Sequence, residues 1–158
     1  MPVVALVESA VGIENLSSIA RRPSTARLAF GSGDFRKDTG IGDDPFALSY
    51  ARSRLTIASR AARLPGPIDG PSRSTDPGVV KRETCDAKLV GMTGRLCLRG
   101  DQTAVVNEVL QPSRGEVAEA RAILGREPIP GDPSEVPRRA QAEKILELAN
   151  ALGGGRGQ

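Results

Sequence analysis

The stretch Val3–Asp34, VVALVESAVGIENLSSIARRPSTARLAFGSGD, decides how this chain folds. Val3 to Val7 is an unbroken apolar run, the pattern of a strand covered on both faces. Glu8 follows directly. Ile13, Leu16, Ile19 and Ala20 then recur at helical spacing until Pro23 stops them. Leu28, Ala29 and Phe30 make a second short strand, and Gly31-Ser32-Gly33 turns the chain into Asp34. If the two strands lie parallel and adjacent, Glu8 and Asp34 leave one sheet at the same carboxyl-terminal edge. Open α/β sheets and β/α barrels keep their chemistry at that edge. Two carboxylates there suit a hard divalent cation such as magnesium, which takes oxygen ligands and keeps positions open for substrate. The same residues also suit structural duties, with Glu8 capping the next helix and Asp34 sitting in a glycine turn.

Outward from this stretch, composition limits the choices. The 158 residues are enough for one domain with a core, and aromatics are only 3%, so that core must be aliphatic. The net charge of +3 comes from 22 basic against 19 acidic side chains. The arginines are scattered rather than clustered, so nucleic acid is not an expected partner; arginine equally suits small phosphates and carboxylates. With no His in the chain, imidazole catalysis and a His-ligated zinc are excluded. Cys85 and Cys97 lack metal-ligand spacing, and two unpaired thiols fit a reducing cytoplasm. The apolar start has no basic leader and is broken by Glu8, so neither a signal peptide nor a membrane span is expected.

Further along, Arg36 to Asp44 reads as a glycine- and charge-rich loop. Asp44-Pro45 starts a helix to about Arg63, faced by Ala47, Ala51, Leu55, Ala58 and Ala62. Ile68-Asp69-Gly70 looks like a very short strand and its exit, and Asp76-Pro77 opens another helix. Gly91 to Gly94 reads as a turn before a strand at Leu96, Cys97 and Leu98. Asp101 precedes a helix carrying Val105, Val106, Val109 and Leu110, and Ser113 with Glu116 forms a capping box for the next. The last helix carries Ile145, Leu148, Ala149 and Leu152. Alternation of strand and helix implies a parallel sheet wrapped by helices. The expected organisation is a half (β/α) barrel over 1–125, a linker and carboxyl-terminal helix over 126–152, and a disordered tail over 153–158.

Several segments, taken in order, are similar to one known family: ALVESAVGIEN, LAFGSGDFRKDTG, LSYARSRLTIASRAA, PIDG and QTAVVNEVLQPS. The chain resembles the citrate lyase β-chain family, acyl-CoA carbon–carbon lyases of the HpcH/HpaI aldolase superfamily. The likeness runs from Val3 to about Leu148. It implies an α/β fold, a partial TIM-type barrel corresponding to strands five to eight plus carboxyl-terminal helices. It implies that Glu8 and Asp34 hold Mg2+, and that the reaction makes or breaks a carbon–carbon bond between an acyl-CoA and a 2-oxo acid. It offers Glu135 as a catalytic acid/base group given across a subunit interface, although Asp132-Pro133-Ser134-Glu135 is also an adequate capping box.

The departures are specific. Arg99-Gly100 replaces the family's His-Pro pair, while Gln102 is retained. The loop Pro71–Thr75 lacks the apolar and acidic residues usual there. Arg52 and Arg54 read as substrate contacts or as a solvated or ion-paired helix face, and Asp69 reads as a rim residue or a cap. The first four strands of the barrel have no counterpart, which leaves sheet edges for a second copy or a complementary half-barrel chain. The expected function is therefore a magnesium-dependent lyase of citryl-, malyl- or citramalyl-CoA type. The alternative is a non-catalytic remnant or assembly subunit keeping the scaffold, and a module binding phosphate-bearing ligands comes third.

Overall fold

The computed structural model describes the backbone of residues 1–153 and the side chains of residues 1–150. The tail expected to be disordered therefore lies outside the described residues, apart from the helical backbone of Gly153. Four strands form one parallel sheet in the order β1 (Val3–Val7), β2 (Thr25–Phe30), β3 (Ile68–Asp69), β4 (Gly94–Arg95). The pairing of Val7 with Phe30 is the last in the register of the first two strands, so both end at the same level. The Gly31 amide donates to the Val7 carbonyl at 2.9 Å and carries the ladder one residue further.

One face of this sheet carries the core. Leu28 and Phe30 are fully buried, and Val7 nearly so, against Ile13, Leu16, Leu48 and Leu55. The other face of β1 is open: Val4 is 54% and Leu6 51% exposed. The continuous apolar run suggested cover on both faces, and this expectation is corrected. Strand β1 is a sheet edge, and among the described residues only its Val7 face packs into the core.

Helices follow the strands. The single helix expected before Pro23 is two, α1 (Ala10–Glu14) and α2 (Leu16–Ala20), meeting at Asn15. Helix α3 (Ser32–Thr39) replaces the loop expected after Asp34 and ends at Gly40, whose φ of 75° is the left-handed conformation glycine adopts freely. Phe35 supplies its anchor, packing on Phe30 with ring centroids 5.3 Å apart. One buried aromatic in an otherwise polar octet leaves no period to read. Helix α4 (Pro45–Ala61) starts where expected, the Asp44 carboxylate accepting from the Phe46 and Ala47 amides. Helix α5 (Pro77–Leu89) is capped in the same way by Asp76.

The fourth strand is displaced from Leu96–Leu98 to Gly94–Arg95. Strand β3 offers only two residues to pair, matched by Gly94 and Arg95. The Leu96 amide adds one more bond, to the Asp69 carbonyl at 3.0 Å, and the chain then leaves the sheet.

The chain divides into two compact units, Met1–Val106 and the residues from Asn107 onward, with the division inside α6 (Gln102–Leu110). Within the second unit, α7 (Arg114–Gly125) packs against α8 (Glu135–Gly153). The capping box of Ser113 and Glu116 opens α7. The Arg139 guanidinium closes it, donating to the carbonyls of Ile123, Leu124 and Arg126 at 2.9, 3.2 and 2.9 Å. Among the described residues no helix is long and apolar enough to cross a membrane.

Candidate active site at the carboxyl ends of the strands

A cavity of about 430 Å³ opens where the strands end, and Glu8 and Asp34 both line it. Parallel pairing accounts for the meeting: β1 delivers Glu8 and β2 delivers the start of α3 to one edge. Gly31 permits the approach. A Cβ there would stand 2.5 Å from the Glu8 Cβ and 2.9 Å from its Oε2, so no larger residue fits without moving Glu8. Asp34 lies in the first turn of α3, where the helix dipole favours a carboxylate. The Lys37 ammonium donates to its Oδ1 at 2.6 Å. That bond and charge, with a smaller contribution from Arg73, hold the Asp34 carboxyl below the usual carboxylate range.

Behind this pair sits a buried charge network. Asp69, at the end of β3, is fully buried. Arg52 of α4 donates to it from Nε at 3.0 Å and Nη2 at 3.1 Å, and Arg95 from Nη1 at 3.2 Å. The other terminal nitrogen of Arg95 donates to Glu83 at 3.0 Å. Two cations thus meet two carboxylates. Arg52 is an ion-paired helix residue, one of the two readings its position allowed, whereas Arg54 reaches only the Ile13 carbonyl, at 3.5 Å, among the described residues. The sequence reading missed Arg95, which stood just before the strand expected at 96–98. A short β3 would have been the signal, because it moves the paired segment back onto Arg95.

Two more expected residues fall into place. Gln102 is buried; its side chain accepts from the Leu98 amide at 3.0 Å and donates to the Ser72 and Ser74 carbonyls at 3.2 and 3.0 Å. Glu135, in the second unit, is buried at the start of α8. It accepts from Arg126 at 2.8 Å, with Arg139 at 3.8 Å from its other oxygen. Asp132 holds the Ser134 amide and hydroxyl at 2.8 and 2.7 Å, so the turn before α8 is built independently of Glu135.

The donors at the cavity are hard carboxylate oxygens. Among the described residues no group of three or more acidic or thiol side chains gathers to hold a metal. Two carboxylates with the remaining positions left to water and substrate is the set that magnesium commonly takes, and Glu8 with Asp34 fits it.

The chain is similar to known proteins of one family. The profile of the HpcH/HpaI aldolase/citrate lyase family matches residues 1–98. A citrate lyase subunit beta-like protein of Deinococcus radiodurans is 29% identical over 126 residues, covering 78% of this chain and 44% of that protein. An L-malyl-CoA/beta-methylmalyl-CoA lyase of Rhodobacter capsulatus is 31% identical over 143 residues, covering 75% of this chain and 44% of the enzyme. Among solved structures, the CitE protein of Mycobacterium tuberculosis, in complex with magnesium, acetoacetate and coenzyme A, superposes with a TM-score of 0.74 at 26% identity. That match covers 94% of this chain and 61% of the other. The chain spans less than half the length of the two sequence relatives.

Proposed function

The chain belongs to the HpcH/HpaI aldolase/citrate lyase family, and on that premise we propose that it carries the metal-holding part of a magnesium-dependent carbon–carbon lyase. The substrate would be the acyl-CoA thioester of a hydroxy acid of citryl-, malyl- or citramalyl-CoA type, and the products an acyl-CoA and a 2-oxo acid. The observation that carries this reading is the convergence of Glu8 and Asp34 on one cavity from adjacent parallel strands. In this reading the four strands correspond to strands five to eight of a TIM-type barrel, with a second copy or a complementary half-barrel chain as partner.

Glu8 and Asp34 would hold Mg2+, which when bound supplies a Lewis acid for the carboxylate and carbonyl oxygens of the oxo acid. Lys37, bonded to Asp34 Oδ1 at 2.6 Å, would have to release that oxygen or share it with the metal. Asp69, through Arg52 and Arg95, fixes the wall of the cavity so that bound groups meet a rigid surface. Cleavage needs a group to take the hydroxyl proton and one to protonate the thioester α-carbon, and Glu135 is the carboxylate proposed for such acid/base work. Its buried pair with Arg126 and Arg139 gives it a structural role as well. Glu135→Gln separates the two: loss of turnover at unchanged melting temperature marks chemistry, and loss of both marks the ion pair.

The metal site is tested by thermal denaturation. Millimolar magnesium should raise the melting temperature of the chain and leave Glu8→Gln unmoved, since a ligand bound only by the folded state must stabilise it. An unchanged melting temperature in the native chain would sink the site. Malyl-CoA and citramalyl-CoA, assayed for release of a 2-oxo acid, then test the activity. Metal binding without turnover would favour the second reading, a remnant or assembly subunit, which the uncovered Val4 and Leu6 also support.

A further inference from the structure

Five cations line the cavity, and four of them have partners. Arg36 is held by Asp43 at 2.7 Å, Lys37 by Asp34 at 2.6 Å, and Arg52 and Arg95 by Asp69 and Glu83. The fifth, Arg73, is exposed and has no hydrogen bond or ion pair among the described residues; Asp34 feels its charge only at a distance. Its Nη2 lies 3.3 Å from where a Cβ on Gly33 would stand, so the guanidinium overhangs the turn that presents Asp34.

An exposed arginine usually stands on a loop free to move, but the backbone around this one is held. The buried Gln102 amide donates to the Ser72 carbonyl at 3.2 Å and the Ser74 carbonyl at 3.0 Å, the residues on either side of Arg73. Ser72 is itself buried and accepts the Ser74 amide at 3.2 Å. The backbone is thereby pinned immediately before and after an unpartnered guanidinium, which removes the backbone share of the ordering entropy when that residue closes on a ligand.

Resting on the lyase reading above, we propose that Arg73 is a specificity-determining residue that binds an anionic oxygen group of the substrate beside the Glu8–Asp34 pair, with Gln102 as its positioning residue. A guanidinium fork matches carboxylate and phosphate oxygens in geometry and charge. Its place next to a divalent cation is favourable only with an anion between the two, since bare cations repel. The anion has two sources, the carboxylate of the oxo acid and the phosphates of the thioester carrier, and one set of titrations separates them.

The experiment is calorimetric titration of the full chain with pyruvate and, separately, with coenzyme A, both in magnesium. Arg73→Gln should weaken one of the two roughly 10- to 100-fold, the range of a charge-assisted contact, and leave the other and the magnesium-induced rise in melting temperature unchanged. Loss on pyruvate assigns the carboxylate, and loss on coenzyme A the phosphate. Arg73→Lys should recover part of the affinity. Gln102→Leu should weaken the same ligand, and Arg73→Gln with Gln102→Leu should bind no worse than Arg73→Gln alone, because Gln102 acts through Arg73. Affinities within about twofold for both ligands would overturn the proposal while leaving the lyase reading intact, as would loss of both ligands together with the magnesium effect. A native chain that binds magnesium but neither ligand would overturn the lyase reading and this proposal with it.

Discussion

Asp69 shows how place decides what a carboxylate does. From its position after a strand it reads as a rim residue or a cap; burial makes it the anchor of two guanidiniums. Glu8, directly after β1, and Asp34, in the first turn of α3, line the cavity instead. Removing one partner from a buried pair leaves an uncompensated charge, which costs about 3–5 kcal/mol. Asp69→Ala should therefore lower stability by about that amount in urea denaturation, with Arg52 left without its carboxylate and Arg95 held by Glu83 alone among the described residues. The Arg99–Asp101 contact is shorter, at 2.6 Å, but both side chains are more than half exposed and solvent screens them. Distance alone would rank the two pairs wrongly. A small effect of Asp69→Ala on the urea midpoint would remove the network as a source of rigidity at the cavity.

At the level of elements, legibility followed the length of the pattern. Helix α4 has 17 residues with its own cap and an apolar stripe, so it was readable without any partner. Asp44→Ala should cost about 1 kcal/mol by loss of the cap, measured by thermal or urea unfolding. No change would mean that packing of Leu48 and Leu55 holds the first turn unaided. Helix α3 was hidden because its single apolar anchor, Phe35, means something only against Phe30 on the strand before it. The fourth strand was misplaced for a related reason. Leu96-Cys97-Leu98 has the better strand composition, but pairing is set by what β3 can offer, and β3 offers only Ile68 and Asp69.

Across the whole molecule, the uncovered face and free edge of β1 are the dominant feature of the first unit. Val3, Val4 and Leu6 are 40%, 54% and 51% exposed on an edge strand, a surface that invites pairing with another chain. The native chain should sediment above its monomer mass at micromolar concentration, and Val4→Lys should shift it toward monomer with little change in melting temperature. A native chain that is monomeric throughout would count against assembly through this edge. The cap of α1 is Ser9 and not Glu8. Strand-helix alternation, the caps at Asp44, Asp76 and Ser113, and the places of Glu8 directly after β1 and Asp34 a few residues after β2 were legible in the chain. They depend on local periodicity and on hydrogen bonds between near neighbours. Long-range contact alone brought Arg95 to Asp69, pinned Arg73 through Gln102, and left Val4 and Leu6 uncovered. Each depends on which backbone lies beside which, and a polar residue carries no periodic mark of the partner that will bury it.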